Sequence, residues 1–275
     1  MSLSRRRRGK SGLKKKPGRE IVVGSFGDET RVAVLESGVL QEIFVEHRDR
    51  RSIVGDICKG KVQNVLPGME AAFIDIGHNR NALLYVGDIF IEGSRQRGQP
   101  NVNKLLKVGQ DVMVQVTKDP MGSKGARLTT YISIPGRYLV LLPQVRTVGI
   151  SHKLGEKERA RLRKVVDEVR PRDVGIIVRT AARDVQAAEL KKGLAYLNRQ
   201  WRQVHRAADK RPAPATLYQE PELEIKVVRD IMDKSYDRVL VANTKMFRRT
   251  RHYLKQVAPW LSERVERYSN STPLF

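Results

Sequence analysis

The sequence predicts an α+β protein with several compact units, one of which is a small β-barrel. The chain has 275 residues, and 40% of its residues are hydrophobic, which suffices for two or three separate cores. Residues 20–130 alternate apolar and polar positions with the period of β-strands. Residues 131–275 mix short apolar runs with segments of helical three- and four-residue apolar spacing. The first half is therefore expected to be β-rich and the second half mixed.

The β-rich half falls into two blocks. Residues 20–47 read as a three-stranded meander, with turns at Gly27-Asp28 and Ser37-Gly38. The second block, from Ile53 to about Thr130, contains five strand-like segments and a polar, Gly- and Pro-bearing stretch at 95–109 that reads as a long loop. Five short strands in one block are enough to close a small barrel.

The mixed half predicts helices joined by short strands. Its helices are expected at 156–170, 184–208, 222–232 and 244–258, and its strands at 175–181 and 238–243. Between them, RPAPATLYQ reads as an extended linker. The strand at 238–243 lies between two helices, and a single strand cannot form the sheet that an α/β layer needs. We therefore expect it to join residues 20–47 in one α/β unit that the rest of the chain interrupts.

Charge is the strongest bulk signal. The chain carries 53 Lys and Arg against 30 Asp and Glu, a formal charge of +23, with a pI near 10.4. Such a surplus repels itself, and a polyanionic partner relieves it most simply. Nucleic acid is the first candidate, and an acidic membrane surface or an acidic protein is the second. Residues 1–19 hold nine of these cations and are expected to form a disordered basic arm, either an extra phosphate contact or a solubilising tail.

Several other classes of protein are excluded. Cys58 is the only cysteine, so disulfides and thiolate zinc clusters are ruled out, and the five histidines have no metal-ligand spacing. No apolar run approaches the roughly 20 residues of a membrane span. The basic N-terminus lacks the apolar stretch of a signal peptide. A cytoplasmic location is therefore expected.

The most informative local segment is Gly55–Gly87, GDICKGKVQNVLPGMEAAFIDIGHNRNALLYVG. Lys59 and Lys61 share one face of a strand, and Phe73 and Asp75 share one face of the next. Lysines and an aromatic ring on the outside of a five-stranded barrel are the layout of an OB-fold that stacks bases. The alternation alone is equally compatible with Phe73 in the barrel core.

These residues carry a family resemblance. The order KGKVxxVxPGxEAAFIDIGxxRxAxL resembles the S-one-type RNA-binding domain of the ribonuclease E/G family. The resemblance continues through QVTKDPMGSKGARLTTYISIPGRYLVLLP and GIIVRTAARD to the terminal TPLF, and so covers nearly all of residues 20–275. It implies cleavage of single-stranded RNA with magnesium, in RNA processing and decay, and a preference for a 5′-monophosphate end.

The resemblance also implies a domain layout. A split ribonuclease-H-like unit is expected to enclose an S-one-type OB barrel and a mixed α/β sensor for the RNA 5′ end. The expected boundaries are 1–19 for the basic arm, 20–51 plus 225–275 for the split unit, 52–130 for the barrel, and 131–224 for the 5′-sensor with its linker.

Two sets of binding residues follow from the resemblance. RNA contacts are expected at Lys59, Lys61, Phe73, Arg80, Lys118 and Lys124, with Phe73 stacking a base and Lys124 on the backbone. The glycines around Lys124 would let main-chain N–H groups approach a phosphate, although an ordinary hairpin turn has the same pattern. Leu83 replaces the family's second barrel aromatic, so stacking there should be weaker.

The 5′-phosphate pocket is expected at Gly136, Arg179 and Thr180, with main chain near 139–141 as its wall. An arginine followed by a hydroxyl can grip a terminal phosphate, although an arginine at a strand end also serves simply as a solvated cap. His152 and Lys153 occupy the place of a family basic pair, which reduces the charge there at neutral pH.

The family's magnesium-binding carboxylates and its zinc-linking cysteines follow the PLF segment, and this sequence ends at Phe275. Asp75 and Asp237 have no partner carboxylate at a usable spacing, so no catalytic or metal-binding residue is assigned. We therefore expect this chain to bind single-stranded RNA without cutting it, and the longer protein to use magnesium, and zinc at a protomer link in a homo-oligomer. The alternative is a non-enzymatic RNA-binding factor, ribosome-associated or antitermination-like.

Overall fold

A computed structural model describes residues 18–93, 101–270 and 272–275. Most of the predicted basic arm, residues 1–17, lies outside the described residues, as does the segment 94–100 of the predicted loop.

The described strands and α-helices have the following bounds. The strands are β1 (Arg19–Phe26), β2 (Glu29–Glu36), β3 (Val39–His47), β4 (Ile57–Leu66), β5 (Ala71–Asp75), β6 (Ala82–Tyr85), β7 (Asp111–Lys118), β8 (Arg127–Thr129), β9 (Ile134–Pro135), β10 (Leu139–Leu142), β11 (Val148–Ile150), β12 (Gly175–Val178), β13 (Ala215–Tyr218), β14 (Arg238–Val241) and β15 (Val265–Arg267). The helices are α1 (Val102–Leu105), α2 (Glu156–Val169), α3 (Ala187–Lys210), α4 (Leu223–Ile231), α5 (Thr244–Val257) and α6 (Pro259–Ser262).

The two ends of the chain meet in a five-stranded sheet of order β15-β14-β1-β2-β3. β1 pairs antiparallel with β2 and parallel with β14, with Glu20 opposite Arg238. One face of the sheet buries valines and isoleucines against α4 and α5, because these helices are apolar on the side that meets it. Asn243 begins α5, and its side chain accepts hydrogen bonds from the first-turn amides.

A four-stranded sheet of order β11-β12-β10-β9 forms the middle of the chain. α2 and α3 pack on it through leucines and valines at helical spacing, which are Leu162 and Val166 in α2 and Leu190, Leu194, Leu197 and Val204 in α3. The buried side chains of both sheets belong to one continuous core. The four-stranded sheet and its helices therefore pack directly against the terminal sheet.

The barrel has a core of its own. Its strands follow the order β4-β5-β6-β8-β7, and a pairing of β7 with β4 closes the ring. Its interior holds small and branched apolar side chains such as Val62, Ile74, Leu84 and Leu128, all almost fully buried. The protein is thus α+β with a closed five-stranded barrel, consistent with the OB-type barrel expected from the sequence.

Two segments differ from their predicted form. The linker RPAPATLYQ contains β13, which adds to the edge of β4 and places Thr216 opposite Cys58. The stretch expected to be a loop contains the single-turn helix α1, which Asn101 caps. No helix in the part of the chain that the structure describes is long and apolar enough to cross a membrane.

Candidate nucleic-acid interface

Phe73 lies on the outer face of the barrel. Its neighbours Ala72 and Ile74 are fully buried in the barrel core, whereas Phe73 and Asp75 are partly exposed and face outward. The alternation allowed Phe73 to point either into the core or outward, and in the structure it points outward. An outward ring on a barrel strand can stack on a base without disturbing the core.

The strand register places Phe73 in a continuous cross-strand row. Phe73 is flanked by Asn64 on β4 and Leu83 on β6, Leu83 lies opposite Arg127 on β8, and Arg127 lies opposite Lys118 on β7. Directly opposed side chains are about 5 Å apart, so each member of the row is close to the next, and Lys118 lies three strands round the closed barrel from Phe73. The row joins one aromatic ring to two cations through Leu83, where a second ring was expected.

Arg127 belongs to this row although the sequence reasoning did not select it. Its guanidinium forms an ion pair with Asp88 at 2.9 Å and lies over the Tyr85 ring, 5.0 Å from the centroid. These contacts fix the side chain on the outer surface. The signal was present in the sequence, because Arg127 alternates with the buried Leu128.

Arg80 and Lys124 lie in two adjacent loops. Arg80 is in the loop between β5 and β6, and Lys124 is in the loop between β7 and β8. The Arg80 guanidinium donates a hydrogen bond to the carbonyl of Gly122, and Met121 and Lys124 exchange main-chain hydrogen bonds across their hairpin. A Cβ on Gly125 would overlap the carbonyl oxygen of Asn81, so only glycine permits this close approach. The structure therefore brings these two predicted residues together.

Lys59 and Lys61 share the outer face of β4, as predicted, but they lie apart from the Phe73 row. The Lys59 ammonium donates to the carbonyls of Ala208 and Arg211 at the end of α3, at 3.1 and 3.2 Å. Lys61 lies opposite Asp75, and its ammonium is 3.9 Å from Asp111. Lys59 thus fastens α3 to the barrel, and Lys61 is the more exposed of the two.

A second basic site surrounds Arg179, which follows β12. Its Nη1 donates to the carbonyl of Gly136 at 2.7 Å and to the Asp230 carboxylate at 2.6 Å. Both bonds use the same nitrogen, and Nε and Nη2 have no hydrogen-bond partner among the residues described. That free edge is the one with which a guanidinium grips two oxygens of an anion.

Thr180 follows directly, and its hydroxyl lies 2.8 Å from the Ser151 hydroxyl at the end of β11. The exposed His152 comes next in the chain. Of the three residues that the sequence predicted as one set, Gly136 and Arg179 are joined by a hydrogen bond, and Thr180 follows Arg179 in the chain with its hydroxyl against Ser151. Gly136 allows this because a Cβ there would lie 2.9 Å from the Leu139 carbonyl oxygen.

Asp230 connects the Arg179 site to a buried ion-pair network. Arg229 donates to Asp230 through Nε and Nη2 and to the Glu220 carboxylate at 2.9 Å, and it is 6% exposed. Burial acts to raise the pKa of Asp230, but Arg229 and Arg179 together hold that pKa below its usual value. The carboxylate therefore stays ionised and orients Arg179. Sequence reasoning missed Asp230, since it lies 51 residues from its partner.

The structure gives no metal site in the parts it describes, since no three His, Cys, Asp or Glu side chains are placed together there in a way that could hold an ion. The described arrangement supplies an outward aromatic ring and several cations, while the main-chain N–H groups of Met121 and Lys124 are used within their own hairpin. Its chemistry is that of binding a polyanion.

Comparison with known proteins adds a family match. The model of the ribonuclease E/G family matches residues 133–275, just over half of the chain. Ribonuclease G of Escherichia coli strain K12 is 41% identical over 264 residues, which cover 93% of this chain and 54% of that protein. Ribonuclease G of Haemophilus influenzae is 36% identical over the same coverage, and ribonuclease E of Haemophilus influenzae is 34% identical, covering 94% and 28%. The chain spans about half the length of its ribonuclease G relatives.

Proposed function

Because this chain belongs to the ribonuclease E/G family, we propose that it is the RNA-binding and 5′-monophosphate-sensing part of an endoribonuclease that acts on single-stranded RNA. The relatives' names support ribonuclease activity for the whole protein, and membership of the family supports RNA processing and decay as its setting. We assign binding and end recognition to the described residues, among which no three His, Cys, Asp or Glu side chains are grouped in a way that could hold a metal ion.

The proposed units follow the two sheets and the barrel. The five-stranded sheet with α4, α5 and α6 serves as the split ribonuclease-H-like unit, within 20–51 and 225–275. The barrel within 52–130 binds the strand, and the four-stranded sheet with α2 and α3, within 131–224, senses the 5′ end. The shared core of the two sheets and the separate core of the barrel support this division.

The single observation that carries RNA binding is the outward Phe73 in its cross-strand row. A base stacks on the ring, while Arg80, Lys118 and Lys124 hold phosphates on either side of it. An unpaired strand suits this layout, since a duplex hides the faces of its bases. The single ring, next to Leu83, favours one strongly held base over two.

The end-sensing part rests on the free edge of Arg179 and on the hydroxyl of Thr180, the next residue in the chain. Nε and Nη2 bind two oxygens of a terminal phosphate, and the hydroxyl supplies a further hydrogen bond. Asp230 holds the guanidinium from the other side. A plain RNA-binding factor has no use for such a site, which favours the endoribonuclease reading over it.

The stacking proposal is tested with Phe73→Ala in a binding titration against oligouridylate. Loss of one stacked base costs about 1–3 kcal/mol, so affinity should fall about 5- to 150-fold. Phe26→Ala is the matched control, because Phe26 is 62% exposed on the terminal sheet, outside the barrel. Equal affinity for the two variants would remove Phe73 from the interface.

End sensing is tested with RNAs that differ only in a 5′-monophosphate or a 5′-hydroxyl. Arg179→Ala should abolish the preference for the phosphate and leave binding of the 5′-hydroxyl RNA unchanged. Arg183→Ala, which removes a nearby arginine of the same segment, should retain the preference. A parent protein without any preference, or a preference that survives in Arg179→Ala, would refute this assignment.

A further inference from the structure

The exposed face of α3 carries a line of cations. Its members are Lys191, Lys192, Arg199, Arg202, Arg206 and Lys210, all exposed, and we refer to them as the α3 stripe. The opposite face of the helix buries its leucines, so the stripe points away from the core. With 24 residues, α3 is about 36 Å long, and the stripe extends along most of it.

The acidic residues of α3 are Glu189 and the exposed Asp209, and neither forms an ion pair with the α3 stripe. None of its six side chains forms an ion pair or a side-chain hydrogen bond with any residue that the structure describes, and Arg199 lies only over the Tyr196 ring. In contrast, Arg127, Arg179 and Arg229 each pair with a carboxylate. Like charges three and four residues apart on a helix repel each other, so the free stripe weakens α3 slightly. An external polyanion relieves this repulsion.

The α3 stripe is continuous with the barrel loops. Lys59 binds the carbonyls at the end of α3, and a Cβ on Gly77 would lie 3.7 Å from Pro214, shortly after that end. Gly77 begins the turn that leads to Arg80, which is hydrogen-bonded to the Lys124 hairpin. The C-terminal end of the stripe therefore lies near the barrel turn that carries Arg80.

We propose that the α3 stripe binds the sugar-phosphate backbone of the single-stranded RNA that leaves the barrel face, and so lengthens the binding site beyond the barrel. The inference rests on the proposed function, because it concerns the same strand. The stripe presents charges without aromatic anchors on its exposed line, so this segment binds independently of base sequence.

The test compares two oligouridylates, one of 6 and one of 24 nucleotides, on the full chain. Arg199→Gln/Arg202→Gln/Arg206→Gln removes half of the stripe. The control, Lys157→Gln/Arg163→Gln/Lys164→Gln, removes three exposed cations from α2 and changes the net charge equally. Each lost phosphate contact reduces the slope of log affinity against log salt by about 0.7.

The α3 variant should bind the 24-mer on the order of 10- to 100-fold more weakly at 0.1 M salt, with a slope smaller by about 2, and should bind the 6-mer like the parent. The lysine-retaining variant Arg199→Lys/Arg202→Lys/Arg206→Lys should restore binding of the 24-mer, which excludes misfolding. A 24-mer affinity that is unchanged, or lowered equally in the α2 control, would overturn the inference while 6-mer binding through Phe73 still stood. Failure of the parent to bind either RNA would overturn the proposed function itself.

Discussion

Arg229→Met should cost more stability than any surface ion-pair change in this protein. Arg229 is 6% exposed and holds two carboxylates, Glu220 at 2.9 Å and Asp230 at 3.0 Å. Methionine fills much of its volume but leaves the buried Glu220 without its cation. Removing one partner of a buried ion pair costs about 3–5 kcal/mol, and for a chain of this size the melting temperature should fall by about 6–20 °C.

The assay is urea or thermal unfolding, with a double-mutant cycle to isolate the pair. Glu220→Gln removes the stranded charge, so Arg229→Met should cost at least about 1 kcal/mol less in that background. Arg48→Met serves as the control, because the Arg48–Asp28 pair spans 3.8 Å and both side chains are more than 70% exposed. Its loss should stay below about 1 kcal/mol.

A loss for Arg229→Met as small as that of Arg48→Met would refute the reasoning, as would strict additivity in the cycle. The first result would mean that the Glu220 carboxylate finds water or another donor. The second would mean that the two side chains act on stability independently.

Three further predictions concern a glycine and the cysteine of the barrel, and the cleavage of RNA. Gly125→Ala should lower the free energy of unfolding in urea by about 1–3 kcal/mol, because the new Cβ would overlap the Asn81 carbonyl. Gly68→Ala is the control, since its Cβ would meet nothing within 4 Å, and it should cost less than about 0.5 kcal/mol. Burial and the nearby Asp56 raise the pKa of Cys58 to about 11, so about one thiol in a thousand is ionised at pH 8. Iodoacetamide at pH 8 should therefore label Cys58 in the folded chain at a small fraction of the rate in urea, and equal rates would place the thiol at the surface. Added magnesium should yield no cleavage of single-stranded RNA by this chain in gel assays, and specific cuts from a nuclease-free preparation would contradict the assignment of binding alone.

The sequence predicted the elements that have a local signature. The barrel strands and the helices α2, α3, α4 and α5 were found because each repeats an apolar pattern over several turns or pairs of residues. The short elements β9, β10, β11, β15, α1 and α6 were not predicted. β13 was missed since all four of its residues are half-buried, which leaves no alternation to detect. Its strand character comes from pairing with β4, about 150 residues earlier, and a local pattern carries no trace of such a partner.

The residues of the candidate site were easier to predict from the sequence than the contacts that they make. Alternation placed Phe73 and Asp75 on one face, but Ala71 and Ala72 are both fully buried, so the pattern could not show which face is outer. Lys59 was selected as a phosphate contact, and its bonds to α3 carbonyls depend on a helix far away in the chain. The Arg179–Asp230 pair likewise exists only in the folded chain.

The parallel pairing of β1 with β14 has a consequence for biosynthesis. The side chains of Glu20 and Arg238 meet across 218 residues of intervening chain. At a translation rate of 5–20 residues per second, the ribosome needs about 10–40 s to deliver that partner. During this interval the nascent β1 has an open edge, while the barrel and the middle sheet already have all their strands. Shielding of that edge by a chaperone is therefore most useful early, before β14 emerges from the ribosome.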